Sequence, residues 1–395
     1  MSPTDSKRLV IKGGTLIDGT GRARVPNGAI VIEGHEIVRV AGEGMPEDVR
    51  PADIVIDATG KFIMPGMIDG HVHLSSHQGA LPGVGFTSTP EFATLWSARN
   101  VGRVLRAGVT GISVPGGKWY VDVTVREAID GGLIEGPRVF CAGRALTPYG
   151  GIFDASEATS EAEPGDAVGV LCNSREDYIR ETRRQCKRGV NLIKIADSYW
   201  GDTQTVSGEE IAAVADEDLD AVAEAGIPIM PVFTQCQLIT EQGDDMGFGN
   251  AMRDRVKAQL ETSYRTIEQA RKRGIEILAG TDSGNAVAFA HGAYHGREAE
   301  IFVTHLGFSP MEAILACTSR NARVIGLEGR VGVIAPGQLA DIIMWDADPV
   351  ADITVLQRPS QLVAVIKDGR VIDRQAEGFR HLEREPARAR ISAQG

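Results

Sequence analysis

From Glu91 to Ile314, short apolar runs alternate with stretches whose apolar residues recur at helical spacing, which restricts this part of the chain to a parallel sheet crossed over by helices. The stretch Glu91–Ala107 places apolar residues at 92, 95, 96, 101, 104 and 105, Gly108 stops it, and Val109–Val114 follows as a strand. Pro137–Ala142 reads as another strand. Ser174-x-x-Asp177 opens a helix that Gly189 closes, leading into a strand at Val190–Ala196. Ser207-x-x-Glu210 is a second capping box, and Ile227–Phe233 a further strand. Met252, Val256, Leu260, Tyr264 and Ile267 line one face of a long helix, Ile275–Ala279 is a strand, and Ser309-Pro310-x-Glu312 caps the last clear helix.

Both ends of the chain have a different rhythm. Leu9–Lys12, Gly13-Gly14 and Thr15–Asp18 read as a hairpin, and Ala29–Glu33, Gly34-His35 and Glu36–Val40 repeat the pattern. Asp53–Asp57 adds a strand, so the start reads as a small domain of short antiparallel strands. Ala340–Asp346 and Leu362–Asp373 look the same at the other end. The expected organisation is a β-sandwich domain shared by both termini, residues 1–62 and 332–395, around an α/β, TIM-like (β/α) barrel at 63–331, with the charged tail from Gln375 on the surface.

Composition narrows the function. With 41 Lys+Arg against 53 Asp+Glu the net charge is −12, and the densest basic run, Arg180–Arg188, also contains Glu181 and Gln185. Nothing resembles the basic face that nucleic-acid binding requires. No run approaches the apolar length of a membrane span, and the polar start lacks a signal-peptide core. Five scattered cysteines without a Cys-x-x-Cys indicate neither a disulfide framework nor a zinc ribbon. The expectation is a cytoplasmic protein acting on a small-molecule substrate, with no nucleic-acid or membrane partner and with homo-oligomer formation left open.

Three features carry chemistry. In Pro65-Gly-Met-Ile-Asp69-Gly-His71-Val-His73, a strand's period of two puts both imidazoles on one face, where they can hold one metal ion. A His-x-His alone is equally what two polar strand-end histidines would give. Lys194 lies inside the apolar Asn191–Ala196; burial lowers an amine's pKa and leaves a nucleophilic neutral form able to add carbon dioxide as a carbamate. Taken alone it would be a lysine on a barrel rim, and a Schiff-base role is a weaker third reading. Asp282, in Gly280-Thr-Asp-Ser-Gly, follows a strand, at the barrel end where active sites lie; an Asx-turn or helix cap is the plainer alternative.

In this order, with Gly13-Gly-Thr-Leu-Ile-Asp-Gly, Gly108-Val-Thr, Arg144-Ala-Leu-Thr, Ser309-Pro-Met-Glu-Ala-Ile and Gly337-Gln-Leu-Ala-Asp-Ile, these motifs resemble the amidohydrolase superfamily, in its prolidase-like and imidazolonepropionase-like branch. The resemblance implies a metal-dependent hydrolase. His71 and His73 would bind the more buried metal, a carboxylated Lys194 would bridge two metals, and Asp282 would be both ligand and general base for a metal-bound hydroxide attacking an amide carbonyl. The metal would be zinc, with manganese, iron or cobalt as alternatives, one or two per chain. Tyr149 and His291 would face the substrate, a dipeptide or N-acyl amino acid.

The chain also departs from that pattern. The family places two more ligand histidines at the ends of barrel strands five and six, yet no histidine lies between His77 and His291. Four strand–helix repeats need about 125 residues, whereas 88 separate Lys194 from Asp282. The expectation is therefore an incomplete barrel of about six strands, joined near Val214–Asp220, with at most one firmly held metal. Ile152 stands where many relatives have histidine, which alters a substrate-side contact. His291 and His295, four apart on a presumed short helix, are read as substrate-side residues, with substitution for the lost ligands a weaker alternative; His35, His77, His305 and His381 are read as structural. The competing function is a degenerate, weakly active or inactive relative with an incomplete metal site.

Overall fold

The computed structural model of the chain describes residues 8–42, 49–75, 89–151, 153–154, 168–196, 216–243, 249–284 and 290–375. The Ser207 capping box, Ile152, His77, His381 and the tail beyond Gln375 lie outside these residues.

The first hairpin does not turn at Gly13-Gly14; its arms are β1 (Leu9–Leu16) and β2 (Val25–Glu33). β1 runs straight through the glycine pair, and its register against β2 shifts on both sides of Gly14. The reason lies on its other edge. Leu9–Lys12 pairs in parallel with β4 (Ile54–Asp57), and Thr15–Leu16 with β5 (Phe62–Pro65), so the bulge marks where one neighbour replaces another. Gly13 has φ +83°, and a Cβ on Gly14 would fall 2.5 Å from Ile63 Cδ1. The second expected hairpin is present: β2 turns at Gly34 into β3 (Glu36–Ala41). The sheet is thus mixed rather than antiparallel throughout.

The chain leaves this sheet at Gly66, a few residues beyond the boundary expected at 62. β6 (Met67–Asp69) pairs in parallel with β7 (Val109–Val114), and β7 with β8 (Arg138–Cys141). Between β6 and β7 runs α1 (Pro90–Arg106), capped by Thr89 Oγ1 accepting from the Phe92 amide. Its buried face ends in Val101, Val104 and Leu105. Ser97 Oγ and Asn100 Nδ2 both donate to the Leu74 carbonyl, which ties the chain just after His73 to this helix. α2 (Val121–Asp130) crosses from β7 to β8. A further parallel pair, β9 (Ala145–Thr147) with β10 (Gly169–Leu171), falls at a motif the sequence reading did not assign to a strand. α3 (Arg175–Lys187) follows, opened by the reciprocal box of Ser174 and Asp177.

Three expected strands are only brief parallel contacts. In 190–196 the contact is Ile195 with Leu146; 227–233 and 275–279 meet each other only at Ile229 and Ile277; past the last of them, Ser283 meets Val72. Phe233 begins a helix instead of ending a strand. These segments are apolar enough for strands, but among the described residues 190–196 and 227–232 are each hydrogen-bonded into the sheet on one side only. The helices around them are α4 (Asp216–Glu224), α5 (Phe233–Gln242), α6 (Asn250–Lys272), α7 (Arg297–His305) and α8 (Pro310–Ala316). Ser309 and Glu312 form the expected box on α8.

The C-terminal strands then return to the first sheet. β11 (Ile342–Trp345) pairs antiparallel with β5, and β12 (Leu362–Lys367) with β11, before a tight turn into β13 (Arg370–Val371). Both termini therefore build one sheet, with its own core of Ile11, Ile30, Ile63, Ile342 and Ile366. A larger core lies between the parallel strands and the helices.

Candidate metal centre

β6 continues toward its C-terminal end as Gly70–His73, held on both sides. The Val72 amide donates to Ser113; the Gly70 and His73 amides donate to Ala279 and Ser283, and the Asp282 amide donates back to His71. Asn321 locks the base of this pairing, its Nδ2 donating to Ile68 O at 2.7 Å and Ala279 O at 2.6 Å. The strand holding His71 and His73 and the segment holding Asp282 are thereby side by side, with Asp282 turned into the left-handed region at φ 57°.

The three side chains meet. His71 Nε2 lies 3.2 Å from His73 Nε2, and Asp282 Oδ1 lies 3.0 Å from His73 Nε2 and 3.7 Å from His71 Nε2. His73 Nδ1 is 2.8 Å from the Gly116 carbonyl, which can only accept, so this nitrogen carries a proton. The lone pair of Nε2 then faces a carboxylate oxygen. Such an arrangement, nearly excluded from water, requires a positive charge between the atoms, either a proton or a metal ion. Electrostatics agree. Burial opposes charge on His73, yet the Asp282 carboxylate outweighs it and raises its pKa. His71 is pushed down to about 4, first by burial and then by His73. Two imidazole nitrogens and one carboxylate oxygen, all within 4.8 Å of one another, are a donor set that fits a divalent cation.

Lys194 is half-buried and lies within electrostatic reach of this triangle of donor atoms. Burial lowers its pKa, Asp282 counters that, and its charge acts on His71 and His73 in turn. Tyr149 sits exposed in the turn after β9, its amide donating to Asn173 Oδ1 at 2.8 Å.

His291 and His295 lie in turns before α7 rather than on a helix, and both are directed at the metal-ligand loops from behind. His291 Nε2 donates to the His73 carbonyl at 2.8 Å, and burial holds its pKa down at about 3. His295 accepts from the Gly292 amide at Nε2, which leaves Nδ1 protonated to donate to Asp69 Oδ2 at 2.7 Å. Asp69 also accepts from the His71 and Thr281 amides and from Thr281 Oγ1. Asp69 thus joins the turn before His71 to the turn before Asp282. The sequence reading assigned no role to Asp69, although period two places it on the same strand face as His71 and His73.

The amidohydrolase family model matches residues 202–372. The chain is 24% identical to 5-methylthioadenosine/S-adenosylhomocysteine deaminase of Symbiobacterium thermophilum over 441 residues, covering 93% of each chain. It is also 24% identical to ochratoxinase of Aspergillus niger, over 94% of this chain and 88% of that one. Among solved structures, a prolidase complexed with N-methylphosphonate-L-proline superposes with a TM-score of 0.77 at 22% identity, over 93% of this chain and 100% of the other. The family-model match and these relatives support a place for the chain in the amidohydrolase superfamily, and the solved structures share its fold, a TIM-like barrel with a further terminal domain.

Proposed function

We propose that the chain is a metal-dependent hydrolase that cleaves an amide C–N bond of a small molecule, such as a dipeptide or an N-acyl amino acid. The convergence of His71 Nε2, His73 Nε2 and Asp282 Oδ1 supports this reading most directly. Relatives named as acting on C–N bonds, the deaminase above among them, support it at the level of lineage. His71, His73 and Asp282 would hold one divalent cation, zinc first. A cation there supplies Lewis acidity toward a carbonyl oxygen and toward water. Asp282 would take up, on the carboxylate oxygen it does not give to the cation, the proton released as water adds. Lys194 has the lowered pKa that carbamate formation needs: the neutral amine bonds to the carbon of carbon dioxide and releases one proton. Tyr149 is proposed on the substrate side, and His291 as the support of the His73 backbone.

A second reading is favoured by one observation, the short path from Lys194 to Asp282. The alignment with the deaminase spans 441 residues, more than the 395 of this chain, so parts of that relative fall opposite gaps here. Ile195 and Ile227, on the segments that would meet across the shortened region, are 58% and 55% exposed. We read the barrel as having about six strands and the outer metal position as lost. On that reading the chain is a weakly active or inactive relative.

Elemental analysis of the purified chain, with hydrolysis of a panel of dipeptides and N-acyl amino acids before and after chelation, decides between them. About one metal per chain and chelator-sensitive hydrolysis that Asp282→Asn abolishes are the expected results. No bound metal and no turnover would leave the degenerate reading standing.

A further inference from the structure

One buried carboxylate remains outside the chemistry just described. Glu298, in the first turn of α7, is 0% exposed. Its Oε1 accepts from the Phe233 amide at 2.8 Å; its Oε2 accepts from the Thr234 amide at 2.8 Å and from Thr234 Oγ1 at 2.7 Å. These are first-turn groups of α5, and that helix lacks a cap of its own. Its N-cap residue is Val232, which has no acceptor side chain and is held at φ 55°. A β-branched residue in that conformation is strained and persists only where its surroundings enforce it. A carboxylate from another helix takes the place of the missing cap, and the positive end of α5 favours it.

What α5 holds in place gives this its importance. Three residues before its first residue, Met230 lies against the donor loops. A Cβ on Gly70 would lie 2.1 Å from Met230 Cε, and one on Gly280 would lie 2.5 Å from Met230 Sδ and 2.8 Å from His71 Cβ. Gly70 precedes His71, and Gly280 stands two residues before Asp282. The thioether is therefore packed against the backbones that carry the metal donors, in space that only glycine leaves. Three residues before Glu298, in the turn leading into α7, His295 holds Asp69. The turn before α7 and the first turn of α7 thus grip the donor loops through Asp69 and the Met230 segment through the cap on α5.

We propose that Glu298 is a positioning residue of the metal centre: by capping α5 it fixes Met230 as the apolar floor on which His71 and Asp282 stand. This rests on the metal-binding reading above.

The test uses the full chain, with cobalt(II) as the probe. Affinity is measured by chelator competition, geometry by the cobalt absorption bands, and stability by thermal unfolding of the metal-free protein. Glu298→Gln and Met230→Ala are each expected to weaken cobalt binding about tenfold, the scale for loss of a group supporting ligands, and to shift the bands. Combined, they should weaken it by little more than either alone. Ser309→Ala removes the cap of α8, away from the centre, and controls for loss of stability; it should leave affinity and bands unchanged. If Glu298→Gln lowers the unfolding temperature but leaves affinity and spectrum as Ser309→Ala does, the cap is structural only and the proposal is overturned. Independent, additive losses from Glu298 and Met230 would overturn the link between them. Failure of the parent chain to bind cobalt would remove the metal centre itself, and this inference with it, and the parent sample alone shows that case.

Discussion

His73 is held on three sides. Its Nδ1 proton goes to Gly116, its carbonyl accepts from His291, and its Nε2 faces Asp282. Because Asp282 raises its pKa, a cation binding there must displace a proton, so metal affinity falls as pH is lowered through that raised value. Zinc competition titrations across about pH 5 to 8 check this, since that is the range in which histidine protons exchange. Calorimetry in buffers of different ionisation enthalpy counts the protons released. Gly284 belongs to the same backbone: at φ +93°, a Cβ would lie 2.0 Å from the His73 carbonyl and 2.4 Å from His291 Nε2. Gly284→Ala should push His73 out of register, and Asp69→Asn should weaken metal binding by about 10–100-fold without unfolding the chain; both are read by the same titration. The convergence of His71, His73 and Asp282 was legible in sequence because strand period and strand-end position are local rules. Asp69, His291 and His295 were not, because their partners lie more than two hundred residues away along the chain.

At the scale of elements, the helices with side-chain caps at Ser174 and Ser309 appear where those residues predict them, since a capping box contains its own partners. α5 shows the opposite case. Its cap comes from another helix, and Ile227–Phe233 gives no local sign that Phe233 starts a helix. The Gly13-Gly14 pair misleads for a related reason: a glycine pair signals a turn or a bulge equally, and only the exchange of β4 for β5 along β1 decides. The borrowed cap also titrates. Burial raises Glu298 to about 7 from 4.5, outweighing its three hydrogen bonds. Between those two values the folded chain keeps a proton that the unfolded chain has released, so the stability owed to Glu298 declines as pH rises through that window. His71 and His291, held at about 4 and about 3 against 6.5, act with the opposite sign: the unfolded chain binds their protons first, and stability grows as pH rises toward 6.5. Glu298→Gln removes only the first contribution. Its stability relative to the parent should therefore improve as pH rises from about 4.5 to 7, as measured by denaturant unfolding of the metal-free proteins.

At the scale of the whole molecule, the two bodies are fastened by a charged clamp. Arg138 at the start of β8 donates to Asp341 through Nε at 2.8 Å and Nη2 at 3.1 Å, and also pairs with Asp368 in the β12–β13 turn. Asp341 is buried, so removing the guanidinium strands its charge. Arg138→Ala should lower unfolding free energy by about 3 kcal/mol, seen as a lower denaturant midpoint, while Arg138→Lys should recover only part because it cannot make the paired contact. That both ends of the chain share a sheet was readable from their matching strand rhythm, but the pairing of β5 with β11 was not, because rhythm carries no register. That pairing has a consequence for the order in which the protein can be made. β5 leaves the ribosome with Pro65, and its partner begins at Ile342. At roughly 5–20 residues per second, β5 waits about 14–55 s beside an incomplete sheet. Throughout synthesis of the barrel, the backbone groups of Phe62–Pro65 that will meet β11 form an open edge, able to pair with any extended segment nearby. The strand that covers this edge is made only after the whole barrel, so β5 stays open to mispairing until β11 emerges.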